Sequence, residues 1–402
     1  MRFCLINNLY PPIDRGGAER IVELIAEELK KRGEVLVITS QPDWLLDRQK
    51  IGDFEICRLN PLNIYHLLEA NKQTARRKLL WHFNDLFKRP VLHQVGKILS
   101  EKPVDFVFTH NLKGLSLGIP KIIRKLKLTQ IHTLHDYQLL DPHGSLHRQG
   151  QNLALKHGFY PLYRYFTRQA IKSPSLVVSP SKFVLDKHLE YGFFKKSKTV
   201  VLPNPVELSG AELQLPKVVS DKLRILYLGQ IEPHKGVKFL VDSFVKWNNA
   251  NAELTIAGEG SELQKINESM NQKINESARS RIKILGKVAR EKLPELFAAA
   301  DLLVVPSMWW ENSPTVIYEA YGYQVPVLVA NTGGAPELVK NGTTGFIFTA
   351  DNQEDLIDKL NAALKQKDKL PELGKQGYEF IKHFEVKNYV DKLLELCQTL
   401  KK

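Results

Sequence analysis

The chain has 402 residues, 43% of them hydrophobic and 25% charged, with a formal charge of +13. These proportions fit a soluble globular protein and exclude a disordered or collagen-like chain. The length suffices for two domains of about 150–200 residues, each with its own core.

No apolar run approaches the ~18 residues that a membrane span needs. The first residues, Met1-Arg-Phe-Cys-Leu-Ile-Asn7, read as a β-strand rather than the apolar segment of a signal peptide. Cys4, Cys57 and Cys397 lie far apart, one is unpaired by parity, and their spacing offers no metal set. They suit a reducing compartment, and the expected location is the cytoplasm. The charge is unevenly spread: residues 1–205 hold 32 of the 57 Lys and Arg but 18 of the 44 Asp and Glu. Basic clusters stand at residues 72–78, 121–127 and 195–198. Such a field suits an anionic membrane surface, an anionic acceptor or a nucleic acid, with a plain solvated face as the alternative. No nucleic-acid-binding module accompanies it, so no nucleic-acid partner is expected.

Apolar runs of four to six residues alternate with helical patterns, as expected of α/β architecture with parallel sheets covered by helices. In the first half the expected strands are Arg2–Asn7, Val35–Thr39, Phe54–Leu59, Phe106–His110, Gln130–Leu134, Leu176–Ser179 and Thr199–Leu202. Gly16 and Gly17 stand between the first strand and an amphipathic helix, where a doubly wound sheet meets its ligand. A dinucleotide G-x-G-x-x-G is absent. Residues 60–100 place Leu62, Tyr65, Leu68, Leu79, Leu80, Trp81, Phe83 and Phe87 at roughly helical spacing among Lys and Arg. That stretch reads as core-facing helix or as an interfacial amphipathic surface. His135 and Asp136 follow the fifth strand, at an edge where open α/β sheets present ligands. His143, His147 and His157 lack accompanying Cys or carboxylates, so no metal site is expected there.

Residues 201–207 and the polar stretch 209–222 read as a linker. Strands then resume at Arg224–Leu228, Glu253–Ala257, Arg281–Leu285, Leu302–Val305, Val325–Ala330 and Gly345–Phe348. A six-residue duplication with an eight-residue period, Gln264–Ser269 repeated as Gln272–Ser277, reads as an insertion in a surface helix. The first of these strands leads to Gly229, Gln230, Lys235 and Gly236, a cation beside a helix start that suits a diphosphate. Gly258 and Gly260 end the next strand, and Thr332-Gly-Gly-Ala-Pro-Glu337 follows a later one.

The segment Trp309-Trp-Glu-Asn-Ser-Pro-Thr-Val-Ile-Tyr-Glu-Ala320 holds two carboxylates, Glu311 in a loop and Glu319 two turns into a helix. Asn312 or Ser313 suits the N-cap and Pro314 the first helical position. Free N–H groups there attract phosphate, and the carboxylates can accept hydrogen bonds from sugar hydroxyls. An E-x7-E pattern alone carries little weight; its company does.

The set G-G-A-E at 16–19, H-D-Y at 135–137, L-G-x5-K-G at 228–236, A-G-E-G at 257–260, E-x7-E at 311–319 and T-G-G-A-P-E at 332–337 resembles the retaining glycosyltransferases of family 4. The resemblance covers nearly the whole chain. It implies the GT-B fold: two Rossmann-like domains with parallel sheets facing across a cleft. Residues 1–205 would bind the acceptor and 206–385 the nucleotide-sugar, with a helix at 386–402 packing back on the first domain.

By the same resemblance, His135, Lys235 and Glu311 form the catalytic set. Gly16, Gly17, Gly229, Gln230, Gly258, Asn312, Ser313, Pro314, Thr315 and Glu319 join Lys235 and Glu311 in holding the donor. Lys235 would bind the diphosphate, Glu311 the sugar, Glu319 the ribose hydroxyls and His135 the face of the sugar. The implied donor is a UDP- or GDP-sugar, with no metal or other cofactor. The implied acceptor is a lipid-linked or cell-surface saccharide in polysaccharide biosynthesis, handled at the inner membrane face. Gln230 departs from the family's usual Arg and costs a charge at the diphosphate. Two other readings stay open: a synthase with a small soluble acceptor, and a non-catalytic sugar-nucleotide-binding protein.

Overall fold

The computed structural model describes residues 1–13, 16–43, 46–87, 89–148, 151–152, 160–208, 220–273 and 276–400. His157, most of the linker at 209–222 and the middle of the second duplicated hexapeptide lie outside the described residues. The chain forms two compact units: one of Met1–Leu146, Ala154–Pro205 and Val386–Lys402, the other of His147–Leu153 and Val206–Glu385.

The first unit is built on an eight-stranded sheet. Its strands are β1 (Arg2–Ile6), β2 (Glu34–Ser40), β3 (Asp47–Ile51), β4 (Phe54–Leu59), β5 (Phe106–Thr109) and β6 (Gln130–Thr133). A separate two-stranded ribbon, β7 (His147–Arg148) and β8 (Gln151–Asn152), precedes β9 (Leu176–Ser179) and β10 (Lys198–Val201), which complete the sheet. The order is β10-β9-β6-β5-β1-β2-β4-β3. Every pairing is parallel except β3 with β4.

Strands buried on both faces need continuous apolar runs, and Phe3, Cys4, Leu5 and Ile6 of β1 are wholly buried. The edge strand β3, Asp47-Arg-Gln-Lys-Ile51, is mostly exposed and has no apolar period, so the sequence pattern misses it. The C-terminal helix Val386–Gln398 lays Tyr389, Val390, Leu393, Leu394 and Cys397 into this unit's core. Arg32 pairs with its Asp391 at 2.7 Å.

The second unit has a fully parallel six-stranded sheet: β11 (Leu223–Leu228), β12 (Ala252–Ala257), β13 (Ile282–Gly286), β14 (Leu302–Val305), β15 (Val327–Ala330) and β16 (Gly345–Phe348). Its order is β13-β12-β11-β14-β15-β16. The chain winds outward from β11 in one direction, returns through β14 and winds the other way. The connections therefore diverge between β11 and β14, and in the first unit between β1 and β5. Ligands of open α/β sheets bind beyond the C-terminal strand ends at these points.

The three cysteines are buried, and none is in a disulfide among the described residues. Among the described residues, no helix is long and apolar enough to cross a membrane. The 60–100 stretch divides between its two readings. Trp81 and Tyr65 are buried and stack at 5.5 Å, while Leu80 and Phe83 face solvent.

Candidate active site

In the second unit, the chain leaving β11 forms a short turn, Pro233–Lys235, before the helix Val237–Trp247. The chain leaving β14 runs through Ser307–Pro314 into the helix Thr315–Gly322. The two segments are stitched together by a hydrogen bond from the Met308 N–H to the His234 carbonyl, 2.9 Å. This brings Lys235 Nζ to 2.6 Å from Glu311 Oε1. Ser307 Oγ donates to the same oxygen at 2.8 Å. The Lys235 ammonium also lies 5.2 Å from the centre of the Trp309 ring, a stabilising cation–π distance.

Glu311 is 6% exposed. Burial alone would push its carboxyl up, but the Lys235 charge and the hydrogen bonds from Lys235, Trp309 and Ser307 hold it below the usual range. Glu311 is therefore an ionised, oriented acceptor, and an acid catalyst would need the opposite shift. Glu319, on the helix that follows, is pushed up by burial, with the Arg290 charge opposing weakly. It has no side-chain hydrogen-bond partner among the described residues, so it can accept from a ligand hydroxyl.

The helix start departs from expectation. Pro314 is itself the cap, with φ −61° and ψ 119°, and the first helical residue is Thr315. Neither Asn312 nor Ser313 caps the helix; the Ser313 hydroxyl is spent on Tyr318 Oη at 2.7 Å. Proline has no side-chain acceptor, so the cap residue itself makes no side-chain hydrogen bond to the helix N-terminus. The positive end of the helix dipole follows Glu311 by four residues.

The glycines divide into two kinds. A Cβ on Gly258 would fall 1.8 Å from the Gly229 carbonyl oxygen, and one on Gly333 would fall 2.3 Å from the Glu311 carbonyl oxygen, so there the chain itself demands glycine. Gly333, with φ +65°, lets the 332–334 loop close on the Glu311 segment. The Gly334 N–H donates to the Glu311 carbonyl at 2.7 Å, and Thr332 Oγ1 to the Trp309 carbonyl at 3.3 Å. The Thr332-Gly-Gly motif thus holds Glu311 in place. Gly16 differs: a Cβ there would meet nothing nearer than Glu19 at 4.0 Å. Its N–H donates to Glu19 Oε2 at 3.1 Å, and Gly17 opens the helix Gly17–Lys30. The fold leaves room at Gly16.

Gln230 is exposed, and its carbonyl accepts from the Tyr227 hydroxyl at 2.6 Å. Its side chain makes no hydrogen bond among the described residues, so no second cation is fixed beside Lys235 at this strand end.

In the first unit, His135 lies just past β6 and meets His110, just past β5, at 2.9 Å between Nε2 and Nδ1. Desolvation lowers His135 to about 4 and drives His110 well below the ordinary imidazole range, so at neutral pH both are uncharged. The adjacent Asp136 is pushed up to about 6 by burial. Around them runs a network the sequence did not reveal. Gln138 accepts from the N–H groups of Leu112 and Lys113 and donates to Asn111 Oδ1 at 2.7 Å, while Asn7 accepts from the Asn111 N–H at 2.9 Å. Asn7 follows β1 directly and Asn111 stands two residues past β5, and strand-end polar residues at the divergence point were the available signal. No group of three or more His, Cys, Asp or Glu is placed to hold a metal among the described residues.

Comparison with known proteins fits this arrangement. The family model of glycosyl transferases group 1 matches residues 214–380, and that of Glycosyltransferase Family 4 matches residues 15–209. An uncharacterised 42.6 kDa protein from the cps region of Klebsiella pneumoniae is 28% identical over 340 residues, 84% of this chain and 87% of its own. Sucrose-phosphate synthase from Thermosynechococcus elongatus superposes with a TM-score of 0.75 at 19% identity, over 100% of this chain and 99% of its own. The Anabaena protein HepE in complex with UDP gives 0.71 at 19% identity, over 99% of this chain and 100% of its own. These structures share the GT-B fold, and the chain belongs to the group 1, family 4 glycosyltransferases.

Proposed function

We propose that the protein is a retaining glycosyltransferase moving a sugar from a UDP- or GDP-sugar to a hydroxyl of a lipid-linked or cell-surface saccharide in polysaccharide assembly. One observation carries this reading: the 2.6 Å pair of Lys235 and Glu311 beside a helix N-terminus whose cap residue, Pro314, offers no side-chain acceptor. Lys235 has further N–H donors for the diphosphate, and the amides of Asn312–Thr315 add donors and the helix dipole. Glu311 Oε2 takes a hydroxyl of the donor sugar, and Glu319 takes the ribose hydroxyls. Gly229, Gln230 and Gly258 shape the turn beside them. In the first unit, Gly16, Gly17 and His135 are the candidates for substrate contact.

Chemistry at this site is charge stabilisation. The bond between the anomeric carbon and the diphosphate oxygen breaks, and negative charge grows on that oxygen. Lys235 and the helix amides are already oriented to receive it, so little reorganisation is required. The leaving oxygen accepts the acceptor's proton as the new glycosidic bond forms on the same face, which retains configuration. A thermal-shift screen of UDP-, GDP- and ADP-sugars tests the reading. A matched donor at a hundredfold excess over its Kd stabilises the native state by about 2.7 kcal/mol, and no shift with any of them contradicts it.

A further inference from the structure

Four helices of the first unit form a continuous layer: Arg89–Glu101 packs on Ile119–Lys125, that helix on Tyr160–Ile171, and Tyr160–Ile171 on Ala75–Phe87. Their outer surface combines two properties. Large apolar side chains face water: Leu80 is 52% exposed, Phe83 62%, Leu162 52% and Tyr165 50%. Leu80 with Phe83, and Leu162 with Tyr165, stand three residues apart, so each pair shares one face of its helix. The exposed charge that is not paired within the protein is of one sign. Arg76, Arg77, Lys97, Lys121 and Lys125 are exposed, and none is in a salt bridge among the described residues. The four helices carry two carboxylates, Asp85 and Glu101. Asp85 is buried and accepts from the Gly114 N–H, and Glu101 is neutralised by Arg48 at 2.7 Å.

We infer that this helical layer is the surface by which the protein docks on an anionic lipid bilayer. Leu80, Phe83, Leu162 and Tyr165 would enter the boundary between headgroups and acyl chains, and the basic side chains would meet lipid phosphates. An apolar face rimmed by unpaired Lys and Arg, with its one exposed acid, Glu101, held by Arg48, is the pattern of an interfacial surface. A nucleic acid would use the cations and could stack on Phe83 or Tyr165, but it offers nothing to Leu80 and Leu162. The inference does not depend on the donor or acceptor assigned above, because docking is read without transfer.

Sedimentation of the full chain with phosphatidylcholine vesicles, with and without phosphatidylglycerol, tests it. The expected result is binding to the anionic vesicles alone, falling as salt rises. Arg76→Glu, Arg77→Glu and Lys121→Glu together should lower the partition coefficient at least roughly a hundredfold, at about fivefold per neutralised cation. Leu80→Ser with Phe83→Ser should lower it on the order of tenfold at unchanged charge. Circular dichroism should show both variants folded, since these side chains are exposed. Failure of the wild-type chain to bind anionic vesicles at low salt overturns the inference. So does binding unaffected by the Leu80 and Phe83 changes together with equal retention on a DNA duplex, which would mark a general polyanion surface.

Discussion

Lys235 Nζ and Glu311 Oε1 lie 2.6 Å apart, although the residues are 76 positions apart in sequence. Each stands beyond the end of a different central strand of the second sheet, and the pair joins those ends where the connections diverge. Removing one partner leaves the other in a poor solvent, and the two losses are unequal. Lys235 is partly exposed and can turn to water; Glu311 cannot.

Lys235→Ala should therefore destabilise the protein by about 3 kcal/mol at neutral pH, because it strands a buried carboxylate. Glu311→Gln should cost about 1 kcal/mol. In the wild type the folded carboxyl sits below its ordinary value, so its contribution is present above the unfolded pKa and fades as pH falls. Without Lys235, burial takes over and raises the folded value. The Lys235→Ala deficit should then shrink as pH drops towards 5, and urea unfolding at several pH values checks this.

Gly333→Ala should impair the site without touching a ligand. Its Cβ would meet the backbone of Glu311, and relief requires the 332–334 loop to move. A stability loss of about 1–3 kcal/mol should come with a larger drop in turnover than in acceptor affinity. Full activity would show that the loop does not position Glu311.

Gln230→Arg places a second cation near Lys235 at an exposed position. Donor affinity should rise about tenfold, from a charge-assisted contact to the diphosphate, with little change in stability. Calorimetry with the nucleoside diphosphate identified by the thermal-shift screen measures it.

Acid should weaken the first unit. His132 and His188 are wholly buried, and desolvation lowers them to about 3 and about 4 from 6.5. Folded-state values below the unfolded one mean that the unfolded chain binds more protons as pH falls below 6.5. Each histidine then removes up to about 1.4 kcal/mol per pH unit until its folded value is reached. Asp136, raised to about 6, acts with the opposite sign and offsets part of the loss between pH 6 and 4. The unfolding midpoint should fall steadily from pH 7 to 4, and His188→Leu should flatten the slope.

The parallel strands were legible in the sequence because both faces are buried and the runs are apolar, as in Phe3–Ile6 and Leu302–Val305. The strand β3 was not, since its ladder is backbone and its side chains are solvated. Glu311, Lys235 and their helix were visible as motifs. What the motifs could not show was which glycines serve the ligand and which serve the chain: Gly258 and Gly333 are fixed by neighbouring carbonyls, and Gly16 by none. His110 and Gln138 act through partners distant in sequence, and no local spacing points to them. Exposure of Leu80 and Phe83 beside buried Trp81 likewise needed the helix's neighbours.

The most direct test of the account is binding of UDP and GDP, measured by calorimetry, to the wild-type chain and to Lys235→Ala under conditions where both are folded. One nucleotide should bind the wild type, and its affinity should fall roughly a hundredfold in the variant, in keeping with loss of a charge-assisted contact of about 3 kcal/mol. Equal binding by the two proteins, or no binding of either nucleotide to the wild type, would contradict it.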